Sequence, residues 1–148
     1  MDTRRQLRAN VVAGMMMWLV LGSGLAAQKA KGPTDPAKVP RVQPAELQKL
    51  VAKDQVVLVD VRSGQAYANG HLDGAISMPA TEIEARVSEL RRRAGNRRIV
   101  LYCSCAFEYS AADAAVTLAR LGLRRVAVLA GGYRGNLQFR TSKFDLRS

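Results

Sequence analysis

The stretch "RIVLYCSCAFEYSAADAAVTLARLG", Arg98 to Gly122, holds both cysteines of the chain, one residue apart. Its opening "RIVLYC" is an apolar, β-branched run with the length of a buried strand, and "SAADAAVTLARLG" has helical periodicity and strong helix formers. Cys103 and Cys105 are therefore expected on a strand-to-helix loop, Cys103 ending the strand and Cys105 lying inside the loop. Ser110 is the expected cap of the helix, with Asp113 three residues on completing a capping box. Such a loop aims several backbone N–H groups at one point and adds the positive end of the helix dipole, which favours an anion and lowers a thiol pKa. The reading is a nucleophilic thiolate, set against the inert core thiol that any cysteine at a strand end can be.

Outward from that loop, helical and strand-like segments alternate from Gln43 onward, the pattern of an α/β fold with a central parallel sheet and helices on both faces. "PAELQKLVAKD" reads as a short amphipathic helix with Pro44 in its first turn, and "VVLVDVR" as a strand buried on both faces. "TEIEARVSELRRRAG" predicts a helix from Thr81 to a stop at Gly95, and "RVAVLAGG" a further strand followed by a glycine turn. No internal repeat interrupts this order.

The 148 residues suffice for one domain with its own core, and two cysteines cannot build a disulfide framework. Residues 1–27 read as a signal peptide: Arg4, Arg5 and Arg8 precede an apolar stretch from Val11 to Leu25, too short to span a bilayer, that ends in small residues. The expected localisation is periplasmic or secreted, and an uncleaved signal would instead anchor the domain to the inner membrane facing outward. The Arg4-Arg5 pair weakly resembles a twin-arginine export signal. Residues 28–42, rich in Pro, Lys and Gly, read as a linker or N-terminal arm, 43–140 as the folded domain, and 141–148 as a C-terminal tail.

The chain carries 23 basic against 12 acidic residues; removing Met1 to Ala27, with three Arg and one Asp, leaves 20 against 11. Much of the excess lies in "RRRAGNRR" and at Arg124-Arg125, where solvated helix ends and loops are the ordinary explanation. Without a recognised binding module or interleaved aromatics, no nucleic-acid partner is expected; the charge favours anionic substrates or an acidic envelope partner.

"LVDVRSGQAYANGHLDGAISMP" upstream of "IVLYCSC" and "VAVLAGGYRGN" downstream resembles the rhodanese domain family over about Val42 to Gln138. The most specific block is "DVR" followed by "GHLDGAISMP", with Leu72 where the family has Ile. The resemblance implies a sulfurtransferase in which Cys103 accepts a sulfane sulfur as a persulfide and passes it to a thiol or cyanide acceptor. No cofactor is implied, and Cys-x-Cys with one distant His is too sparse a set for a metal.

The loop Ser104, Cys105, Ala106, Phe107, Glu108, Tyr109, Ser110 would form the substrate cradle around Cys103. Many family members place an arginine near its end to grip an anionic donor; this chain has Glu108 and Tyr109. A carboxylate at the cradle rim works against thiosulfate-like anions and tends to raise the thiol pKa, and the missing arginine removes the clamp that phosphatase relatives use. "CSCAFE" resembles a Cys-x-Cys-x-x-Glu loop variant of the family, in which Cys105 could resolve a persulfide or sulfenic acid as a disulfide, or simply fill the loop. Asp60 and Arg62 read as a supporting ion pair, and His71 as an organiser of the "GHLDGA" loop in preference to a general base. Two further readings remain: a rhodanese-like binding module without turnover, and a thiol redox protein using both cysteines.

Overall fold

The computed structural model describes residues 32–105 and 107–137, so the signal reading, the tail over 141–148 and Ala106 lie outside the described residues. Five parallel strands form one sheet: β1 (Arg41–Val42), β2 (Val56–Asp60), β3 (Ile76–Ser77), β4 (Arg98–Tyr102) and β5 (Val126–Leu129), in the spatial order β1-β5-β4-β2-β3. The helices are α1 (Pro44–Ala52), α2 (Gly64–Ala68), α3 (Val87–Ala94) and α4 (Tyr109–Arg120). Among the described residues no helix is long and apolar enough to cross a membrane.

Side-chain alternation along the strands divides the core in two. On β4, Ile99, Leu101 and Cys103 join a cluster with Leu90 of α3 and Ala111, Ala115 and Leu118 of α4. Val100 and Tyr102 point the other way and pack with Leu47 of α1 and Leu72. Because both faces are covered, β2 and β5 are buried at every position, which explains their near-continuous apolar sequence. The alanines of α4 let that helix lie close on β4 and β5.

The structure corrects three expectations of local structure. The arm expected over 28–42 is not a free linker: Pro36–Lys38 form a 3-10 turn capped by Asp35, and Arg41–Val42 are β1, paired in parallel with Val128 and Leu129 of β5. Buried Val39 and Val42 hold it there, too few apolar residues to make a period in the sequence. The helix expected from Thr81 begins only at Val87, after a 3-10 turn over Ala80–Glu82, while Gly95 does stop it with φ of 54°. Arg86 folds the intervening turn back by bonding Ser77 O, Glu82 and Glu89. Finally, Ser110 is not the cap of α4: the helix starts at Tyr109, and Glu108 stands at the cap in the left-handed region with φ of 54°. That backbone turn brings the chain into the helix one residue early, Ala112 N–H already bonding Glu108 O at 2.8 Å.

Candidate functional site

The carboxyl ends of the parallel strands are where open α/β sheets place their ligands. Here they bring together Asp60 at the end of β2, Cys103 just past β4 and the Gly131-Gly132 turn just past β5. The glycine turn presses on the cysteine loop. A Cβ at Gly132 would stand 2.6 Å from Cys103 O and 3.2 Å from Cys105 O, and its φ of 52° disfavours any other residue. Tyr133 N–H donates to Cys103 O at 2.7 Å, and Asn136 Nδ2 bonds Ala130 O and Gly132 O, so the turn holds the loop by backbone contacts.

Cys103 is 3% exposed and Cys105 is half-buried; neither is in a disulfide. Cys103 Sγ lies 4.0 Å from Cys105 O, and each thiol biases the ionisation of the other. The N–H groups at the start of α4 divide between them, Ala111 N–H serving Cys103 and the N–H groups of Tyr109 and Ser110 serving Cys105. The expectation that these groups converge on Cys103 and lower its pKa is therefore corrected. Burial pushes the Cys103 thiol up to about 11, helped by its role as donor to Cys105. Burial also works against ionisation of Cys105, but the Cys103 hydrogen bond and the Ser110 and Tyr109 N–H groups outweigh it and bring that thiol below its ordinary value.

Glu108 is not an open rim. Its carboxylate is buried, accepting Gly131 N–H at 2.8 Å and facing Arg41 Nε at 3.4 Å, so it ties the end of the cysteine loop to β5 and β1. Ser104 is half-buried and Ser110 exposed, while Phe107 and Tyr109 stand 69% and 65% exposed with ring centroids 5.8 Å apart. Beside them a cavity of about 540 Å³ is lined by Asp35, Pro36, Ala37, Arg41, Glu108 and Ala112 as well as the two rings.

Asp60 and Arg62 form the brace expected of them. Asp60 is fully buried and accepts from Arg62 N–H, Nε and Nη2 at 2.5–3.0 Å. Arg62 also bonds Gly70 O and lies 3.8 Å from the centre of the Tyr133 ring, and Tyr102 hydroxyl bonds Asp60 and accepts Leu72 N–H. Burial, with the nearby Asp60 charge, holds Tyr102 protonated far above its ordinary range. His71 is an organiser: its ring stacks on Tyr67 at 3.7 Å and its Nδ1 lies 3.0 Å from Tyr67 O. Arg41, Tyr102, Tyr133 and Asn136 are the positioning residues that sequence reading missed. Only Tyr133 and Asn136 gave a signal, as neighbours of the glycine pair.

Comparison with known proteins agrees with this geometry. The profile of the rhodanese-like domain matches residues 43–137. An HTH-type transcriptional regulator of Mycobacterium tuberculosis is 42% identical over 88 residues, which cover 60% of this chain and 37% of that protein, so the chain spans little more than a third of that relative. Among solved structures, a human single-domain sulfurtransferase has a TM-score of 0.57 at 28% identity, covering 67% of this chain and 96% of its own. A Bacillus halodurans protein has a TM-score of 0.57 at 29% identity, covering 71% of this chain and 74% of its own.

Proposed function

This chain belongs to the rhodanese-like domain family, and on that footing we propose that it is an exported sulfurtransferase that holds a sulfane sulfur as a persulfide on Cys103. The observation that carries the reading is the place of Cys103. It ends the central strand of a parallel sheet, its sulfur receives an N–H from the first turn of α4, and its carbonyl is fixed by the glycine turn. In the loading step a thiolate attacks the outer sulfur of a persulfide R–S–SH, the donor S–S bond breaks as the new one forms, and RS⁻ leaves. In the unloading step an acceptor thiolate takes the same outer sulfur and the enzyme thiolate is the leaving group, so no net oxidation occurs.

Organic persulfides are the favoured donors. The loop supplies no arginine to grip a dianion such as thiosulfate, and Arg41, which faces Glu108 at the end of the loop, is also engaged by Ala37 O and Val39 O. The test is incubation of wild type, Cys103→Ser and Cys105→Ser with glutathione persulfide and with thiosulfate, followed by removal of small molecules and intact-mass measurement. Wild type and Cys105→Ser are expected to keep one added sulfur and Cys103→Ser none, with thiosulfate the poorer donor. Wild type that takes up no sulfur from either would leave the binding module as the better account. Export is tested separately: the protein from its native host is expected to begin near Ala27 or Gln28, and a full-length chain in the cytosol would overturn that part.

The placement of both thiols on one short loop favours one second reading, a thiol redox protein. Titration against redox buffers would then show a two-electron couple lost in Cys105→Ser.

A further inference from the structure

We propose that Cys105 is a second, transient sulfur carrier: it meets the donor and the acceptor, and Cys103 behind it is the sheltered store. The inference rests on the sulfurtransferase reading and adds a residue and a route to it. Three observations carry it. Cys103 is 3% exposed, whereas Cys105 is half-buried on the outer part of the loop. Cys103 Sγ lies 4.0 Å from Cys105 O, so the two thiols share one short loop and sulfur can pass between them without movement of the sheet. The N–H groups of Tyr109 and Ser110, the first two residues of α4, point at Cys105, while only that of Ala111 reaches Cys103. Negative charge is therefore best held at the outer thiol, which is where attack on an incoming persulfide needs it.

The route balances as follows. Cys105–S⁻ attacks the outer sulfur of R–S–SH, giving Cys105–S–SH and RS⁻, and the new persulfide gives its proton to solvent. Cys103–SH then takes the outer sulfur from Cys105–S–S⁻: the S–S bond to Cys105 breaks, one to Cys103 forms, and the Cys103 proton passes to the departing Cys105 sulfur. The products are Cys103–S–S⁻ and Cys105–SH. Unloading is the reverse, with a thiol acceptor attacking at Cys105. No oxidant or reductant is consumed, which separates this route from disulfide formation, where Cys105 would attack the inner sulfur and expel sulfide. Exposed Phe107 and Tyr109 follow Cys105 by two and four residues and offer a docking face to acceptors too large to reach the buried thiol.

The experiment follows sulfur uptake from glutathione persulfide by rapid acid quench and intact mass, then its loss to reduced thioredoxin as a protein thiol. Cys105→Ser, and Cys105→Ala as a second variant, are expected to load and unload at least about tenfold more slowly than wild type, because the remaining thiol is the less accessible one. Cys103→Ser is expected to gain a sulfur at early quench times and to lose it when washed with glutathione. Wild-type rates in both Cys105 variants would overturn the proposal, as would a Cys103→Ser protein that takes up no sulfur at the earliest quench. Sulfide release from loaded wild type with no acceptor present would overturn it in favour of the disulfide route. Failure of wild type to gain any sulfur would instead remove the sulfurtransferase reading itself.

Discussion

Replacing Asp60 with Ala puts the supporting frame of the site under the strongest single test. The carboxylate is fully buried, and the side chain of its partner Arg62 is 8% exposed. Both carboxylate oxygens are engaged by Arg62, and the backbone N–H of Arg62 and the Tyr102 hydroxyl depend on the same group. Its removal leaves a buried guanidinium facing Gly70 O and the Tyr133 and Tyr102 rings with no anion to balance it, and two further polar groups without that acceptor. Breaking one side of a buried ion pair costs about 3–5 kcal/mol. Set against a total stability of roughly 5–15 kcal/mol, that is a large fraction. At roughly 4–8 °C per kcal/mol for a domain of this size, the melting temperature should fall by on the order of 12–40 °C.

The assay is urea unfolding followed by far-UV circular dichroism, on Asp60→Ala, Arg62→Met and the double variant. The double variant is expected to recover about 1–3 kcal/mol relative to the sum of the singles, because it removes the orphaned charge as well. A loss below about 1 kcal/mol in Asp60→Ala, or strict additivity in the double variant, would refute the view of this pair as a buried brace.

Three further outcomes are expected. Gly132→Ala should destabilise the domain by about 2–4 kcal/mol, from left-handed strain plus contact with Cys103 O, and should cut sulfur loading; thermal melts and the loading assay read the two effects. Glu108→Ala, which leaves Gly131 N–H without its acceptor, should cost about 1–3 kcal/mol, whereas Glu108→Gln, which can still accept that bond, should cost less in the same urea assay. Alkylation by iodoacetamide, mapped by peptide mass, should reach Cys105 first. The thiolate is the reacting form, so Cys105 modification should rise with a midpoint below that of an ordinary thiol. Cys103, pushed up to about 11, should stay protonated and slow through neutral pH. Preferential modification of Cys103 near neutral pH would contradict the assigned charge distribution.

The sheet and the reactive loop were legible because their signals are local: apolar runs mark β2, β4 and β5, and the placement of Cys103 follows from the end of one such run. The two edge strands were not legible. Each is two residues long, Arg41–Val42 and Ile76–Ser77, and what makes them strands is a partner more than 10 residues away in the chain, not a period of their own. The same holds for the charged groups around the site. Asp60 and Arg62 are two residues apart and could be paired on paper, but Arg41 and Glu108 are separated by 67 residues and meet only because β1 lies at the end of the sheet beside β5. A sequence in which Glu108 stands where an arginine might be expected suggests a rim charge; the fold turns that carboxylate inward onto Gly131.

The separation of the two thiols is itself a consequence of strand geometry. Side chains on β4 alternate, so Cys103 continues the row of Ile99 and Leu101 and must point at the face that α4 covers. It is buried by parity, whatever the loop does next. Cys105 comes after the strand has ended, where no alternation binds it, and the loop carries it outward to the first N–H groups of α4. A spacing of one residue across the end of a strand thus gives one thiol to the core and one to the surface while keeping them on one short loop. Moving the first cysteine one residue upstream would turn its side chain to the opposite face, toward Leu72 and Tyr133, and its place against α4 would be lost. The Cys-x-Cys spacing is informative only together with the strand end that precedes it.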